Sequence, residues 1–287
     1  MTAAVIIAAV LFCAAAVYVY LTAGRFKRPA APYFYGALFA HRGLHSNGIP
    51  ENSLPAFEAA VNGGYGIELD VHLTADGELV VHHDDGIKRL TGEDGKISEM
   101  TAAELTSKKL CGTEYSIPLF SDVLSLVGGR VPLVVELKQQ PTADPAPLCE
   151  RVFAALDAYK AETGGEYCVE SFNPYVVKWC RLNRSDAFRG QLTEAFYSRG
   201  KKTKIMYMME NLLINILGRP DFTAYNVKDR ANFSLRVWGK LYSAPIAFWT
   251  VRSQEELDSA VREYGDKVAI IFEGFIPDEG ICRRRAK

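Results

Sequence analysis

Residues 66–85, "GIELDVHLTADGELVVHHDD", carry the strongest indication of how this chain folds. Two apolar runs in it are separated only by "TADG", residues 74–77. Parallel strands need a crossover of a dozen or more residues, whereas a short turn of this kind joins antiparallel strands. We therefore interpret residues 72 to about 117 as a small insertion that begins with a hairpin after a strand at residues 66–71.

Outside this insertion, short apolar runs alternate with helix-like patterns. The predicted strands cover residues 37–41, 66–71, 131–138, 166–172, 188–192, 222–226, 245–251 and 267–275. The helix after the first strand has Ser53 as a candidate N-cap and closes on Gly63 and Gly64. Alternating strands and helices imply parallel strands joined by crossovers, and eight such units fit a closed (β/α)8 barrel. The predicted fold class is thus an α/β TIM barrel with an insertion after strand 2.

The first residues form a different kind of segment. Residues 3–23 carry no charge, and a helix of this length spans about 31 Å, the thickness of a bilayer core. Tyr18 and Tyr20 stand near its end, where an interfacial aromatic belt is expected. A cleaved signal peptide is the alternative, since "AAA" at residues 14–16 could serve a signal peptidase. The length of the run and the lack of an early Lys or Arg favour a transmembrane anchor.

The charges beyond this segment predict its orientation. Arg25, Lys27 and Arg28 form the first basic cluster, and the positive-inside rule then puts the C-terminal domain in the cytoplasm. We expect a single-pass membrane protein with a transmembrane anchor at 1–24, a linker at 25–37 and the barrel at 38–287.

Composition narrows the function classes. Hydrophobic residues make up 48% of the 287 residues and charged residues 23%, as in an ordinary packed globule. The formal net charge of -1 gives no electrostatic reason to expect nucleic acid as a partner. The terminal "CRRRAK" is interpreted as a solvated tail. The six cysteines lack a CxxC or zinc pattern and are interpreted as inert thiols.

All five histidines lie between positions 41 and 83, among carboxylates. His41 ends the first predicted strand, and working side chains of a parallel barrel sit at such strand ends. Glu68 and Asp70 point to one face because they are two residues apart in a strand. Glu136 ends the third predicted strand. Three carboxylates there would make an oxygen-rich site for Mg²⁺ or Ca²⁺, although a lone Glu-x-Asp is more often a solvated strand face.

The remaining charged groups suggest an anionic substrate. Two histidines could flank the metal as acid and base. Lys138 and Arg42 supply positive charge that suits a phosphate ester. His45 and His72 are interpreted as surface or supporting residues. Of the adjacent pair at 82 and 83, only one side chain can face the barrel mouth.

At these residues the sequence resembles the glycerophosphodiester phosphodiesterase family. The motifs are "HRG" (41–43), "PENSLPAFEAA" (50–60), "GIELDVHLTADGELVVHHD" (66–84), "KRLTG" (88–92), "IPLFSDVL" (117–124) and "VVELK" (134–138), then more faintly "ESFNP" (170–174) and "FWTVRSQEELD" (248–258). The family fold is a TIM barrel with a small insertion after strand 2. Its activity is the metal-dependent hydrolysis of glycerophosphodiesters to sn-glycerol 3-phosphate and an alcohol.

The resemblance implies a role for each matched residue. It makes His41 and His83 the catalytic pair and Glu68, Asp70 and Glu136 the metal ligands. It also places Arg42 and Lys138 near the phosphate, has Glu51 and Asn52 support the site, and has Trp249 line the pocket for the alcohol. For Trp249, a place in the barrel core is an equal alternative.

Two departures bear on the substrate. The family's last strand usually ends in Thr-Asp-x-Pro, whereas this chain has "FEGFIPDE" with Glu273 nearest the Asp position. Residues 194–221 are long and partly apolar; core packing is the main interpretation, and a helix that dips to the bilayer is the alternative. With an anchor, lysolipids become substrates of interest, as in a lysophospholipase D. A catalytically inactive, membrane-tethered binding protein is disfavoured because no member of the acid–base and metal set is missing.

Overall fold

A computed structural model describes residues 2–140, 142–265 and 268–278. Its strands are β1 Leu38–His41, β2 Gly66–Leu73, β3 Leu79–Val81, β4 Leu133–Leu137, β5 Tyr167–Ser171, β6 Arg189–Thr193, β7 Phe222–Asn226, β8 Ile246–Val251 and β9 Ala269–Phe272. Its α-helices are α1 Thr2–Thr22, α2 Leu54–Asn62, α3 Lys88–Thr91, α4 Ala102–Thr106, α5 Phe120–Val127, α6 Ala146–Thr163, α7 Pro174–Asn183, α8 Lys204–Glu210, α9 Asn215–Gly218, α10 Phe233–Leu241 and α11 Gln254–Tyr264. The cysteine and the basic run of the predicted C-terminal tail, residues 282–287, lie outside the described residues.

The strands close into a barrel. The order around it is β1-β9-β8-β7-β6-β5-β4-β2, every neighbouring pair is parallel, and β1 returns to pair with β2. All five residues of β4 and seven of the eight in β2 are buried, as expected for strands covered on both faces. The predicted (β/α)8 barrel is confirmed, and its strands fall where the apolar runs placed them.

The insertion after β2 begins with the expected hairpin. β3 pairs with β2 in antiparallel register, with Val71 opposite Val81. The turn is closed by a hydrogen bond from the Thr74 amide to the Glu78 carbonyl (2.9 Å), and Gly77 supplies the positive φ of 80°. The insertion has its own small core, made by Val80, Ile87, Leu90, Ile97, Leu105, Leu110 and Ile117. It thus packs as a separate lobe above the strand ends.

The α2 helix shows how the local sequence sets an element boundary. Ser53 occupies the N-cap position with extended backbone, but its hydroxyl donates to the Pro50 carbonyl (2.6 Å) instead of capping the helix. Gly63 follows the last helical residue, and Gly64 turns the chain with a φ of 71°. The helix therefore begins after Ser53 and ends before Gly63, as predicted, although the Ser53 side chain does not cap it.

The segment predicted as a linker is packed against the barrel. Phe34 is fully buried and contacts Phe222 (ring centroids 4.5 Å apart) and Phe188 (5.2 Å), near the amino ends of β7 and β6. The Arg25 amide donates to the Pro220 carbonyl (3.0 Å), just before β7. Residues 25–37 therefore pack across the amino-terminal end of the barrel, opposite the end where His41 lies.

The first helix remains largely uncovered. An 18-residue window within Ala3–Thr22 has a mean hydropathy of 2.6, and none of its residues is buried. By length and composition this helix could cross a membrane, a property that signal sequences share. Its last turn is docked on the barrel, where the Tyr18 hydroxyl donates to Ser234 Oγ (2.7 Å) and the Asn215 amide donates to the Thr22 carbonyl (3.1 Å).

Candidate active site

Strand register brings the predicted carboxylates together at the carboxyl-terminal end of the barrel. Glu68 lies opposite His41, and Asp70 lies opposite Glu136. In parallel strands the residues that share a register level lie side by side, so side chains of three neighbouring strands converge. These are the positions that the sequence placed at strand ends.

Glu68, Asp70 and Glu136 form a compact set of potential ligands. One carboxylate oxygen from each lies within 4.8 Å of the other two, and all three residues are buried. Three oxygen donors at such spacing suit a hard divalent cation such as Mg²⁺ or Ca²⁺. The donor chemistry of the described residues therefore fits a metal of this class.

Buried negative charge shapes the protonation of these groups. Burial raises the pKa of Glu68 well above its usual value, and the nearby Asp70 and Glu136 carboxylates raise it further. Burial likewise raises the pKa of Glu136 to about 7, although the Lys138 ammonium opposes the change. Such mutual repulsion is what a bound cation would relieve.

Two cations balance the carboxylates. Lys138 Nζ lies 2.9 Å from Asp70 Oδ1 and 2.8 Å from Glu136 Oε2. Burial would raise the pKa of Asp70, but the charges of Lys138, His83 and Arg42 outweigh it and hold that pKa below its usual range. Arg42 contributes twice, because its amide donates to Glu68 Oε2 (3.0 Å) and its guanidinium lies 3.5 Å from Asp70 Oδ2. The site thus has positive charges close to the three carboxylates.

His41 is held by a carboxylate from the far end of the chain. Its Nδ1 donates to Glu273 Oε2 at 2.5 Å, which leaves Nε2 facing Glu68 at 3.9 Å. Burial lowers the pKa of His41, and the hydrogen bond to Glu273 opposes that change. The hydrogen bond to His41 in turn lowers the pKa of Glu273 to about 2. Glu273 thus supplies the carboxylate at the point where the sequence departs from the family pattern.

His83 is oriented in the same manner from the insertion. Its Nδ1 donates to Asp84 Oδ1 (2.7 Å), and Arg89 Nε donates to the other oxygen of Asp84 (2.6 Å). Burial lowers the pKa of His83. Both histidines lie at the cavity with Nδ1 engaged by a carboxylate, an arrangement that fixes the ring and leaves Nε2 free for chemistry.

Glu51 and Asn52 contact charged side chains of the site but are not among the residues that line the cavity. Glu51 accepts from the guanidinium groups of Arg42 and Arg89, each at 2.7 Å. Burial would raise the pKa of Glu51, but the hydrogen bonds and charges of these two arginines outweigh it and lower that pKa to about 2. The Asn52 amide donates to Asp70 Oδ2 (2.8 Å). These contacts hold Arg42 and Asp70 in place.

A cavity of about 650 Å³ opens beside these residues. Its apolar lining residues are Phe172, Leu192, Trp249 and Ile271. Its polar lining residues include His41, His83, Glu136, Arg199, Lys228 and Arg252. Trp249 is partly buried and meets Phe172 edge to face (centroids 5.5 Å apart). It therefore lines the cavity wall and also packs against other cavity residues.

The other histidines lie away from the cavity lining. His72 is buried, and its Nε2 lies 3.3 Å from the His83 carbonyl, beneath the catalytic candidate. Burial lowers its pKa to about 4. His82 is also buried and alternates away from His83. His45 is partly buried.

Sequence reasoning missed three cavity or support residues. Glu170, the residue before the last one of β5, lies beside Glu136 and is buried, and its Oε2 lacks a hydrogen-bond partner among the described residues. Burial raises its pKa well above the usual value. The same strand-end rule that found Glu136 would have found Glu170 in "VESF". Asp84 and Arg89 had no such signal, since their roles depend on how the insertion folds back.

Comparisons with known proteins agree with this geometry. The model of the glycerophosphoryl diester phosphodiesterase family matches residues 41–265. A glycerophosphodiester phosphodiesterase of Caldanaerobacter subterraneus is 36% identical over 151 residues, which are 49% of this chain and 60% of that protein. Human lysophospholipase D GDPD1 is 31% identical over 198 residues, which are 64% of this chain and 55% of that protein. The matches thus span about half the length of these curated relatives.

Solved structures share the fold. A glycerophosphodiester phosphodiesterase from Parabacteroides distasonis superposes with a TM-score of 0.65 at 23% identity, covering 83% of this chain and 93% of that one. An Oleispira antarctica phosphodiesterase, solved with the product sn-glycerol-3-phosphate, gives a TM-score of 0.62 at 20% identity with the same coverage. Because the family match takes in most of the barrel and every strand-end residue from His41 to Trp249, this chain belongs to the glycerophosphoryl diester phosphodiesterase family.

Proposed function

We propose that this protein is a divalent-metal-dependent phosphodiesterase that hydrolyses glycerophosphodiesters to sn-glycerol 3-phosphate and an alcohol. The observation that carries the proposal is the convergence of two oriented histidines on the Glu68, Asp70 and Glu136 cluster at the mouth of the barrel. The similarity to family members named for this activity supports the substrate class.

Phosphodiesters are slow to hydrolyse because their anionic oxygens repel a nucleophile and because an alkoxide is a poor leaving group. Mg²⁺ or Ca²⁺ held by Glu68, Asp70 and Glu136 would supply Lewis-acid polarisation and charge neutralisation. Arg42 and Lys138 bind and orient the phosphate oxygens, since their positive ends lie next to the same carboxylates.

The two histidines handle the protons. One imidazole takes the proton of the attacking hydroxyl, and the other delivers a proton to the departing alcohol oxygen. The attacking group is water, or a neighbouring substrate hydroxyl that gives a cyclic phosphate first. Glu273 and Asp84 keep the rings oriented and stabilise the imidazolium forms. Each proton transfer of this kind contributes about 10² to 10⁴ in rate.

The supporting roles follow from the contacts. Glu51 and Asn52 position Arg42 and Asp70. Trp249 lines the cavity wall for the alcohol group. The α1 helix anchors the protein in a membrane with the barrel in the cytoplasm, on the basis of its uncharged length and the basic cluster that follows it.

Product analysis on a panel of phosphodiesters, with and without a chelator, tests this activity. We expect glycerol 3-phosphate from glycerophosphocholine, and loss of turnover with the chelator. His41→Ala and His83→Ala should each abolish turnover without unfolding the protein, whereas the matched control His45→Ala, outside the cavity lining, should retain it. A fully active His83→Ala protein would refute the assignment.

A second candidate, lysophospholipase D activity, is favoured by the apolar residues in the cavity lining. Phe172, Leu192 and Trp249 offer a surface that an acylated substrate would cover better than a soluble one. The comparison of glycerophosphocholine with lysophosphatidylcholine at matched concentrations separates the two activities. A preference for the acylated form by kcat/KM supports the lysolipid.

A further inference from the structure

The α1 helix leaves the barrel in a definite direction. At its carboxyl end, the Arg25 amide meets the Pro220 carbonyl, which precedes β7 and therefore marks the amino-terminal end of the barrel. One turn before the end of the helix, the ring of Tyr18 lies 6.1 Å from that of Phe233. Phe233 follows β7 and therefore lies toward the carboxyl-terminal end of the barrel. The helix thus runs along the barrel toward the carboxyl ends of the strands, and its free part continues past the end where the cavity opens.

The length of the helix sets how close the barrel lies to a bilayer. Residues 2–17 make no hydrogen bond to the barrel among the described contacts, and as a helix they span about 24 Å. A bilayer core is about 30 Å thick. The docked turn, where Tyr18 and Thr22 bond to Ser234 and Tyr242, is therefore needed to complete the span. The barrel surface around Tyr18 must then lie at the lipid–water interface.

That surface has the composition of an interfacial one. Phe233 is 71% exposed, Tyr207 48% and Ile205 39%, although all three are large apolar or aromatic residues. They follow β6 and β7 at the cavity end of the barrel. The exposed Lys201, Lys202 and Lys204 precede them in the same loop and helix. We call these six residues the rim surface.

The acidic residues near the rim lysines pair with other groups, so the lysines can bind an external anion. The acidic groups Glu194 and Asp229 pair with Arg199, and Glu210 accepts from Ser198. Within the described part of the chain, none of the three rim lysines forms an ion pair. Lys202 instead lies 4.2 Å from the centroid of the Tyr197 ring. Aromatic and aliphatic side chains with lysines around them are typical of surfaces that bind anionic lipid interfaces.

We propose that the rim surface rests on the anionic headgroups of the bilayer that holds α1, so that the cavity mouth faces the membrane. This inference rests on the membrane anchor of the proposed function and does not depend on which phosphodiester is cleaved. The rim surface binds a lipid surface, because it adjoins the apolar α1 helix and because its lysines have no ion-pair partner among the described residues. A mouth turned to the membrane receives amphiphilic phosphodiesters directly from it.

Depth-dependent quenching in lipid nanodiscs tests the orientation with the full chain. Cys13, Cys111 and Cys282 are replaced by Ser, and a single environment-sensitive fluorophore is attached at Phe233→Cys. The matched control is Leu182→Cys, which is 68% exposed on α7 and is not part of the rim surface. With doxyl-labelled phosphatidylcholine in the discs, we expect strong quenching at position 233 and weak quenching at 182. Equal quenching at the two positions overturns the proposal.

The lipid preference is tested in the same discs. Phosphatidylglycerol should increase the quenching at 233, and the triple variant Lys201→Glu, Lys202→Glu, Lys204→Glu should remove that increase. An increase that survives the triple substitution contradicts the role of the lysines and overturns the proposal. These measurements need no substrate, so an inactive enzyme leaves their outcome unchanged and the failure of the proposed activity is seen separately. Turnover of soluble glycerophosphocholine by the triple variant should stay within about twofold of the parent, since no rim lysine lines the cavity.

Discussion

His41 Nδ1 lies 2.5 Å from Glu273 Oε2, although 232 residues separate the two in sequence. The contact exists because β9 pairs with β1 when the barrel closes, so that Phe272 lies opposite Ala40. Glu273 and His41, the next residues along these strands, then meet at the cavity mouth. The carboxylate orients the ring and supports its protonated form.

Removing this carboxylate should slow the reaction without unfolding the protein. For Glu273→Gln we expect kcat to fall about 10- to 100-fold, since an oriented ring loses its charged partner. The pKa of His41 should fall as well, because the hydrogen bond to Glu273 is what opposes the effect of burial. The measurement is the pH dependence of kcat on glycerophosphocholine. Glu273→Asp, which keeps the charge, is the control, and an unchanged pH profile in Glu273→Gln would contradict the pairing.

The metal assignment predicts different effects for two neighbouring buried glutamates. Glu136→Gln should weaken binding of Mg²⁺ or Ca²⁺ about tenfold or more, because it removes one of three charged oxygen ligands. Glu170→Gln is the matched control, since Glu170 is equally buried on the adjacent strand but outside the three-residue set. Isothermal titration calorimetry gives both affinities. Equal losses in the two variants would show that the ion is not held as assigned.

Stability should depend on pH through Glu51. The arginines lower its folded pKa to about 2, below the usual value near 4.3 for an unfolded chain. A lowered pKa stabilises the fold fully above the unfolded value, and the contribution is lost as the pH falls from about 4.5 toward 2. Between pH 7 and pH 3 the parent should therefore lose more free energy of unfolding than Glu51→Gln, by an amount on the order of 1 kcal/mol. Urea unfolding followed by tryptophan fluorescence in non-ionic detergent measures the difference, and parallel pH curves would argue against the prediction.

Phe34 tests whether residues 25–37 belong to the fold. Phe34→Ala should lower the free energy of unfolding by about 3–5 kcal/mol, because it empties a fully buried site among aromatic rings. Phe26→Ala is the matched control from the same segment, since Phe26 is 96% exposed and should change stability by less than about 0.5 kcal/mol. Similar effects of the two substitutions in urea unfolding would mean that the segment does not pack as described.

Part of the candidate site could be predicted because it depends on local pattern alone. Glu68 and Asp70 share a face through the two-residue period of a strand, and Glu136 reaches them because it ends the next parallel strand. Glu170 obeys the same rule, since it lies beside Glu136 on the next parallel strand. Asp84 and Arg89 could not be assigned, since no periodic pattern fixes how the insertion folds back on His83.

Local sequence is enough to place the strands, the hairpin after β2, the barrel class and the carboxylates at the strand ends. These follow from hydrophobic period and turn length, which act over a few residues. Three other relationships depend on the complete fold: Glu273 holds His41, Phe34 packs beneath the barrel, and α1 leaves toward the cavity end. Those relationships join residues far apart in the chain, which come within contact distance only through barrel closure and the packing of the N-terminal segment on the barrel.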